Sequence, residues 1–502
     1  MRTAAERTGS SDPAPDGRSP APKGARARPR LAALAAGALP VLAFPRAGLD
    51  WFAWVALVPG LLVMRSAATG REAAVRGWWF GAGFLAAALY WLIPNIGPAL
   101  ALVAAGAGVL WAGWGFAAWA LLRPGRLLAA LVVVPSVWVA GEWARSWHAL
   151  GGPWALYGAT QWRHPAVLSL ASLGGVWLVA FALVAVNTAV AMVLVTRSAS
   201  AAVLAALIAL SGPALYTPSS EAAGRPMRVA LVQPGVVDGP DRRFADGERI
   251  TSALPAADLV VWGESSVGFD LDRRPDLVAR LTALARAHGP LLVNEDARDA
   301  SGRIAKSAVF IGPDGVQGRY VKNRLVPFGE YIPLRRELGW VARISEAAKE
   351  DRLPGTGLVL MRAGGGPDAV TFAPLVCFES AFPDLSRAVV RRGARLIVYE
   401  SATSTFQDSW APAQHASLGA LRAAETGRPV VQAALTGVSA AFDAKGRRLA
   451  WSDTSRRGSV LVEVVPAGGR TPYDRFGDYA AWAAVGVVLV SGAFALRRRR
   501  GR

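Results

Sequence analysis

The amino-acid sequence predicts a polytopic α-helical membrane bundle of about eight spans that carries one inserted α/β domain. Hydrophobic residues make up 53% of the 502 residues, 19 residues are tryptophan, and the mean hydropathy is positive at +0.30. The apolar residues are concentrated in 31–216 and 479–496, whereas 226–466 alternates short apolar runs with charged and turn-forming residues. A membrane span requires about 20 mostly apolar residues, so the first two regions are the ones expected to cross a bilayer.

Seven candidate spans precede the inserted domain and one follows it. They occupy residues 31–47, 51–68, 75–94, 98–122, 127–147, 165–195, 199–216 and 479–496. The first two are the weakest because they are short, closely spaced and interrupted by Pro40 and Pro59. The expected order is therefore a tail, seven spans, the inserted domain, an eighth span and a tail. The corresponding boundaries are 1–30, 31–216, 226–466, 479–496 and 497–502.

The placement of lysine and arginine predicts the orientation of these spans. Basic residues precede the first span, lie between the second and third and between the fourth and fifth, and follow the sixth and the last. Because cytoplasmic loops carry an excess of lysine and arginine, eight spans put all of these positions on one side. Both termini are then expected in the cytoplasm, and residues 217–478 outside it.

The formal net charge of +19 raises the question of nucleic-acid binding. Much of the excess lies in RSPAPKGARARPR near the N-terminus and in RRRRGR at the C-terminus, both next to apolar segments. Such clusters are typical of topology signals and of contacts with anionic lipid. No nucleic-acid-binding motif accompanies them, so DNA and RNA binding are excluded. Residues 1–30 are interpreted as a disordered basic tail.

The inserted domain alternates strand-like and helical patterns. Apolar runs that predict strands lie at 227–233, 257–263, 290–295, 307–312, 370–376, 394–400 and 429–435. Residues 276–289 and 415–427 have helical patterns that end at a glycine, and residues 439–451 indicate a hairpin. Buried strands with helices between them predict a layered sandwich of sheets and helices.

The only cysteine of the chain is Cys377, which follows the apolar run VTFAPLV at 370–376. One alternative is that it is simply a small buried hydrophobic residue. The run predicts a strand, the following Phe-Glu-Ser segment a sharp turn, and Pro383 the start of a helix, an arrangement that exposes a nucleophile. A nucleophilic thiol needs a base or a cation beside it, and none of the four histidines is an obvious partner.

Two further charged positions lie where predicted strands end. Glu264 follows the run LVVWG, where either an ordinary loop acid or a general base fits. The segment GRYVKNRLVPFGEYIP places Lys322 and Glu330 among prolines and aromatic residues, which strengthen electrostatic interactions by lowering the local dielectric. An isolated salt bridge is the alternative for this segment. Glu264 and Lys322 are the preferred partners of Cys377.

The order Glu264, Lys322, Cys377 resembles the Glu–Lys–Cys triad of the nitrilase (carbon–nitrogen hydrolase) superfamily. The segments that carry the resemblance are VQP (232–234), WGES (262–265), KNRLVPFGEYIP (322–333), CFES (377–380), HASLGALRAAETGRPVV (415–431) and TGVSA (436–440). The eight-span layout with the domain inserted before the last span is similar to that of the apolipoprotein N-acyltransferase family. The resemblance covers about 31–496 and implies a nitrilase-like α-β-β-α sandwich.

This resemblance implies a two-step acyl transfer in a bacterial plasma membrane, with the inserted domain extracytoplasmic. A membrane phospholipid donates an acyl chain to Cys377, and the resulting thioester acylates the α-amino group of the diacylglyceryl-cysteine of an apolipoprotein. Glu264 is then the proton acceptor, and Lys322 with the backbone N–H of Phe378 stabilises the oxyanion. Glu330 resembles the superfamily's second glutamate, and Glu379 is a supporting residue of open role. No cofactor or metal is expected, and the protein is expected to be a monomer.

Six residues are candidates for binding the substrates. They are Trp262, Arg324, Phe328, Tyr331, Ser401 and Phe406. The chain departs from the family pattern at Gly263, where proline is common, at ATSTF (402–406), at Gln432 and at Leu435, all on loops expected to shape the acyl or acceptor pocket. Two other functions are weighed: a membrane-tethered amidase that uses water as the acceptor, and a transporter or receptor whose nitrilase-like domain is not catalytic.

Overall fold

The computed structural model describes residues 23–148, 152–217, 222–299, 302–332, 335–343 and 350–500. Residues 1–22 of the predicted basic tail lie outside the described residues, and the first helix begins at Lys23, ahead of the predicted first span. The described chain forms a helical bundle, an inserted α/β domain and a last helix that returns to the bundle.

Nine helices precede the inserted domain in the described residues. They are α1 (Lys23–Ala38), α2 (Val58–Arg65), α3 (Gly70–Ala88), α4 (Ile93–Ile96), α5 (Ala99–Gly108), α6 (Ala112–Leu121), α7 (Leu127–Arg145), α8 (Pro165–Thr196) and α9 (Ala199–Leu215). The predicted spans at 31–47 and 51–68 are divided into short pieces, because 3-10 turns at Leu39–Ala43 and Asp50–Trp54 interrupt them. Pro40 and Pro59 lie at the first positions of helical pieces, where a missing N–H costs little.

Four helices in the described ranges are long and apolar enough to cross a membrane. They are Ala99–Leu121, Leu127–Arg145, Pro165–Thr196 and Tyr479–Arg497. Gly70–Ala88 and Tyr90–Ile96 make a fifth span if this pair, bent by 59°, is counted as one. Ala199–Leu215 is apolar but shorter. A helical bundle is therefore present, and the count of eight spans stays a prediction.

Glycines allow the helices of the bundle to approach closely. A Cβ atom at Gly77 of α3 would lie 2.4 Å from the carbonyl oxygen of Trp111, and one at Gly115 of α6 would lie 2.3 Å from that of Ala73. Close approach of this kind is how helices pack in lipid. The bundle is completed by buried aromatic residues, among them Trp138, which contacts both Trp111 and Trp114.

The inserted domain contains twelve strands and six helices within the described residues. In chain order they are β1 (Met227–Gln233), α10 (Pro240–Ser252), β2 (Leu259–Trp262), α11 (Pro275–His288), β3 (Leu291–Arg298), β4 (Ile304–Gly312), β5 (Gly315–Val321), α12 (Arg335–Leu338), β6 (Met361–Ala363), β7 (Val370–Val376), α13 (Pro383–Arg391), β8 (Leu396–Ser401), α14 (Ala411–Thr426), β9 (Val430–Ala434), β10 (Ala440–Phe442), β11 (Arg448–Trp451), β12 (Gly458–Val464) and α15 (Pro472–Phe476). Helix α16 (Tyr479–Arg500) follows and packs on α7.

The strands form two six-stranded sheets that face each other. Their orders are β12-β1-β2-β3-β4-β5 and β11-β10-β9-β8-β7-β6. The rings of Phe310 and Phe372 meet 5.4 Å apart between the sheets, while α10 and α11 pack against the first sheet and α14 against the second. The predicted α-β-β-α sandwich is confirmed. Strands β2 and β3 run parallel to β1, and β8 runs parallel to β7 and β9, so the loops after β2, β7 and β8 meet at one edge.

Helix α14 connects this domain to the membrane bundle. Helix α8 is broken at Gly174 and Gly175, which have non-helical backbone angles. The carboxylate of Glu425 on α14 accepts a hydrogen bond from the backbone N–H of Val176 just beyond this break, at 2.9 Å. It also pairs with Arg422 at 2.9 Å, and the Arg422 guanidinium donates to the Ala381 carbonyl. A buried polar chain therefore runs from a bundle helix to the turn that follows β7.

Candidate active site

Cys377 lies at a strained turn between β7 and α13. Its backbone has φ of 50°, a left-handed conformation that costs a non-glycine residue about 1–2 kcal/mol. The residues Cys377–Ala381 form a 3-10 turn, and α13 begins at Pro383. The predicted strand, sharp turn and helix are confirmed. Cys377 is partly exposed as a residue, and its thiol donates to the carbonyl oxygen of Ala402 at 3.8 Å.

The structure brings Glu264 and Lys322 to this turn. Lys322, which follows β5, has no exposed surface, and its Nζ donates to Glu264 Oε1 at 3.0 Å. Glu264 follows β2 and is 4% exposed, and the charge of its carboxylate acts on the Cys377 thiol. The backbone N–H of Glu264 donates to the carbonyl of Ser401 at the end of β8, which ties the two sheets together at the site. Three strand ends therefore converge on one buried cluster.

Glu330 is the second carboxylate of Lys322. The Lys322 ammonium lies 3.0 Å from Glu330 Oε1 and 2.9 Å from Oε2. Glu330 also accepts from the backbone N–H of Val326 and pairs with Arg352 at 3.2 Å. These contacts hold the segment between Val326 and Glu330 as a closed turn in which Phe328 adopts a left-handed φ of 62°. Glu330 therefore orients Lys322 while its own charge is balanced.

The charges in this cluster shift the pKa values of the three central groups. Burial opposes ionisation of Glu264, but Lys306 and Lys322 outweigh it and lower the pKa of the carboxyl to about 2. Burial also opposes the charged form of Lys322, yet Glu264 and Glu330 raise the pKa of its ammonium. Burial and the Glu264 carboxylate raise the pKa of the Cys377 thiol to about 12. At neutral pH the site therefore holds an ionised glutamate, an ionised lysine and a neutral thiol.

Glu379 joins the segment around Lys322 to the turn of Cys377. Its Oε1 accepts from the Tyr320 hydroxyl at 2.8 Å and from the backbone N–H groups of Asn323 and Arg324 at 2.7 and 3.0 Å. Its Oε2 accepts from the backbone N–H of Val376 at 2.7 Å. Glu379 has no exposed surface. It is thus a positioning residue that fixes the chain around Lys322 against the turn of Cys377.

Two residues of the cluster, His415 and Lys306, are not predicted from the sequence. His415 Nε2 lies 3.0 Å from the Cys377 carbonyl oxygen and 3.1 Å from Ser380 Oγ, and its Nδ1 lies 3.1 Å from Ser401 Oγ. Burial lowers the pKa of this imidazole to about 4, so it is neutral and holds the turn by hydrogen bonds. Lys306 of β4 lies 3.5 Å from Glu264 Oε1 and is 7% exposed. A lysine beside the apolar run SAVFIG is the signal that could have pointed to it.

The candidate substrate-binding residues have different locations. Trp262 is buried in the core, where its ring packs against Phe244 and its indole N–H donates to Thr251, so the structure does not bring it to the site. Ser401 is also buried, and its hydroxyl bonds His415. The Arg324 guanidinium pairs with Asp384 at the surface.

Three aromatic candidates lie around the site, towards the bundle. Tyr331 lies 5.7 Å from the ring of His148, and Phe406 lies 4.8 Å from that of Trp91. Trp91 in turn contacts Trp154, which stacks on Phe378 at 6.4 Å. Phe328 is partly buried in the Glu330 turn. An aromatic surface therefore links the turn of Cys377 to the helices of the bundle.

Three of the departures from the family pattern have local structural explanations. A Cβ atom at Gly263 would lie 1.9 Å from the backbone nitrogen of Leu435, so glycine admits the close approach of the two sheets here. The Leu435 N–H donates to the Ser401 carbonyl, and the Gln432 side chain donates to the Val438 carbonyl. These residues therefore hold the ends of β8 and β9. No cluster of three or more metal-ligating side chains occurs in the part of the chain that the structure describes.

Two family profiles match the chain. The profile described as the apolipoprotein N-acyltransferase N-terminal domain matches residues 36–189, and the carbon–nitrogen hydrolase profile matches residues 228–471. The chain resembles solved structures of a mutant nitrilase-superfamily amidase from Nesterenkonia AN1 (16% identity, 51% of this chain and 94% of that chain, TM-score 0.34). It also resembles a carbon–nitrogen hydrolase from Helicobacter pylori G27 (17% identity, 48% and 89%, TM-score 0.35).

Curated relatives match over most of their length. An apolipoprotein N-acyltransferase from Geobacter metallireducens is 31% identical, and the match covers 94% of this chain and 96% of the relative. The enzymes of the same name from Methylococcus capsulatus and Pseudomonas aeruginosa LESB58 are 31% and 29% identical, with coverage of 86% and 94% of this chain and 89% and 96% of the relatives. Since the two profiles fall on the bundle and on the sandwich, and a relative of 31% identity matches over nearly its whole length, the chain belongs to the apolipoprotein N-acyltransferase family.

Proposed function

We propose that this protein transfers an acyl chain from a membrane phospholipid to the α-amino group of the diacylglyceryl-cysteine of bacterial apolipoproteins. The observation that carries the proposal is the convergence of Glu264, Lys322 and Cys377 in one buried cluster, at the ends of three different strands. The thiol, the base and the cation needed for nucleophilic catalysis are thus brought to one site. Membership in the family supports the acyl donor and the acceptor.

In the first step Glu264 accepts the thiol proton as Sγ of Cys377 attacks the ester carbonyl carbon of the phospholipid. The negative charge moves from the Glu264 carboxylate to the carbonyl oxygen, and both positions lie beside the Lys322 ammonium. The ester C–O bond then breaks, and the leaving lysophospholipid oxygen takes the proton from Glu264. A base in contact is required because the pKa of the thiol is raised to about 12.

In the second step the α-amine of the acceptor attacks the thioester carbonyl. Glu264 takes a proton from the amine, the C–S bond breaks, and the proton passes to Sγ, which regenerates the thiol. A thioester is reactive enough to form an amide without ATP, so the reaction is a ping-pong transfer with no external energy source. In both steps Lys322 and the backbone N–H of Phe378 stabilise the oxyanion, while Glu330 orients Lys322.

The membrane bundle supplies the route for the two lipid substrates. The aromatic surface from Phe406 through Trp91 and Trp154 to Phe378 supports acyl-chain access from the side of the bundle. We further propose the predicted topology of eight spans in 31–216 and 479–496, with the domain at 226–466 extracytoplasmic and both termini cytoplasmic. The positive clusters at the ends of the chain support this orientation.

The proposal is tested with purified protein in mixed micelles that contain a diacyl phospholipid and a synthetic diacylglyceryl lipopeptide. The mass of the lipopeptide is expected to increase by one acyl chain, and a matched N-acetylated lipopeptide, which lacks a free amine, is expected to stay unchanged. Cys377→Ser should abolish the transfer. Release of free fatty acid with an unmodified lipopeptide would instead indicate an amidase-like hydrolase that uses water.

A further inference from the structure

A second lysine contacts the catalytic carboxylate from within the first sheet. Lys306 Nζ lies 3.5 Å from Glu264 Oε1 and 3.1 Å from Asp296 Oδ1, and it also donates to the hydroxyl of Ser265. Lys306 on β4 and Asp296 on β3 are direct cross-strand partners. Lys306 is 7% exposed, so the charge of its ammonium acts on Glu264 with little screening by water.

The charge balance of the cluster requires this second lysine. Lys322 divides its charge between the carboxylates of Glu264 and Glu330, and Arg352 partly compensates Glu330. A carboxylate as buried as Glu264 that shared one lysine with another carboxylate would take up a proton, because burial disfavours its charged form. Lys306 supplies the missing positive charge, and Asp296 balances the part of that charge that Glu264 does not neutralise.

Three other titratable groups near Glu264, namely Glu400, His415 and Cys377, are not charged. Burial raises the pKa of Glu400 on β8 well above its usual value, and its carboxyl accepts from the Asn294 amide. His415 on α14 is neutral because burial lowers its pKa to about 4, and Cys377 is a neutral thiol. Lys306 and Lys322 are therefore the cations that set the protonation state of Glu264.

We propose that Lys306 is a positioning residue that keeps Glu264 ionised as the proton acceptor of Cys377, with Asp296 holding the Lys306 ammonium in place. This inference rests on the proposed function. A lysine that served only as a cross-strand partner of Asp296 would affect stability, and it would leave the protonation of Glu264 unchanged.

The test measures the rate of acyl-enzyme formation on Cys377 as a function of pH, with dioleoyl phosphatidylethanolamine in mixed micelles. This half-reaction is chosen because it does not involve the acceptor amine. With Glu264 titrating near a pKa of about 2, the wild-type protein is expected to lose no rate between pH 7 and about 4. In Lys306→Gln the loss of this charge raises the pKa of Glu264, so the rate should begin to fall at a higher pH than in the wild-type protein.

Matched variants distinguish the effect of losing the positive charge from an effect on folding. Lys306→Arg keeps the positive charge and should keep the wild-type pH profile, as should Lys445→Gln, which removes a lysine on the distant β10–β11 hairpin. If Lys306→Gln does not fold because Asp296 is left unpaired, the double variant Lys306→Gln with Asp296→Asn removes both charges and should show the same acid loss. A glutamine variant whose profile superimposes on that of the wild type overturns the inference, whereas a wild-type protein that forms no acyl-enzyme overturns the proposed function itself.

Discussion

At the scale of single residues, the site depends on side chains that do not touch the reacting atoms. Glu379 accepts four hydrogen bonds that join the chain around Lys322 to the turn of Cys377. His415 supports the same turn from α14 through the Cys377 carbonyl. Because Cys377 has a left-handed backbone conformation, these contacts offset the strain of the turn and keep the thiol beside Glu264.

Glu379→Gln tests this role at the residue scale. The amide keeps one acceptor oxygen but places an NH₂ group against backbone N–H donors, which leaves buried donors unpaired. We expect a loss of about 2–4 kcal/mol in the free energy of unfolding and a fall in the rate of acyl-enzyme formation of at least about tenfold. Thermal unfolding in detergent and the acylation assay measure both. A variant with wild-type acylation would show that Glu379 does not position Lys322 and Cys377.

At the scale of elements, the positions of Glu264 and Cys377 depend on how closely the ends of β2 and β9 approach. Gly263→Ala would place a Cβ atom 1.9 Å from the backbone nitrogen of Leu435 and push the two strand ends apart. We expect a large loss of stability. We also expect a loss of acyl-enzyme formation, because Glu264 directly follows Gly263 and would be displaced with it. The control is Gly357→Ala, whose Cβ meets no atom within 4 Å and which should behave as wild type. Equal melting temperatures for both variants would contradict the close approach.

The contact between α14 and the break in α8 is a second test at this scale. Glu425→Ala removes the acceptor of the Val176 N–H and leaves Arg422 without its carboxylate. Breaking a buried ion pair from one side costs about 3–5 kcal/mol, so the melting temperature in detergent should fall markedly. Glu463→Ala removes an exposed carboxylate of β12 and should change stability by less than about 0.5 kcal/mol. Similar melting temperatures for these two variants would show that Glu425 does not stabilise the junction.

Local sequence predicts the central strands and fails for three of the four edge strands. The apolar runs at 227–233 and 370–376 have the same bounds as β1 and β7. The strands that the sequence does not predict, β5, β6 and β12, lie at sheet edges, where pairing with one neighbour rather than an apolar run stabilises the strand. Lys306 and His415 are not predicted for a related reason, because their contacts with Glu264 and Cys377 form only when distant elements pack. His415 and Cys377, for example, are 38 residues apart in the sequence.

At the scale of the whole molecule, eight spans place the inserted domain and the turn between α6 and α7 on opposite sides of the membrane. In a Cys377→Ser background, Ser455→Cys in the domain should react with a membrane-impermeant maleimide in intact spheroplasts. Pro124→Cys should react only after the membrane is permeabilised. Both positions are exposed in the structure, so access differs only by the membrane. Labelling of both in intact spheroplasts would contradict the proposed topology.

The central chemical claim is that Cys377 carries the acyl chain covalently after the chain leaves the donor and before it reaches the acceptor. Peptide mapping by mass spectrometry after incubation with phospholipid alone tests it directly. We expect a hydroxylamine-labile acyl adduct on Cys377 that disappears when lipopeptide is added. The adduct should form at least about 100-fold more slowly in Glu264→Gln and in Lys322→Met. Transfer to the lipopeptide that continues in Cys377→Ser, or that proceeds in the wild-type protein without any adduct on Cys377, would contradict it.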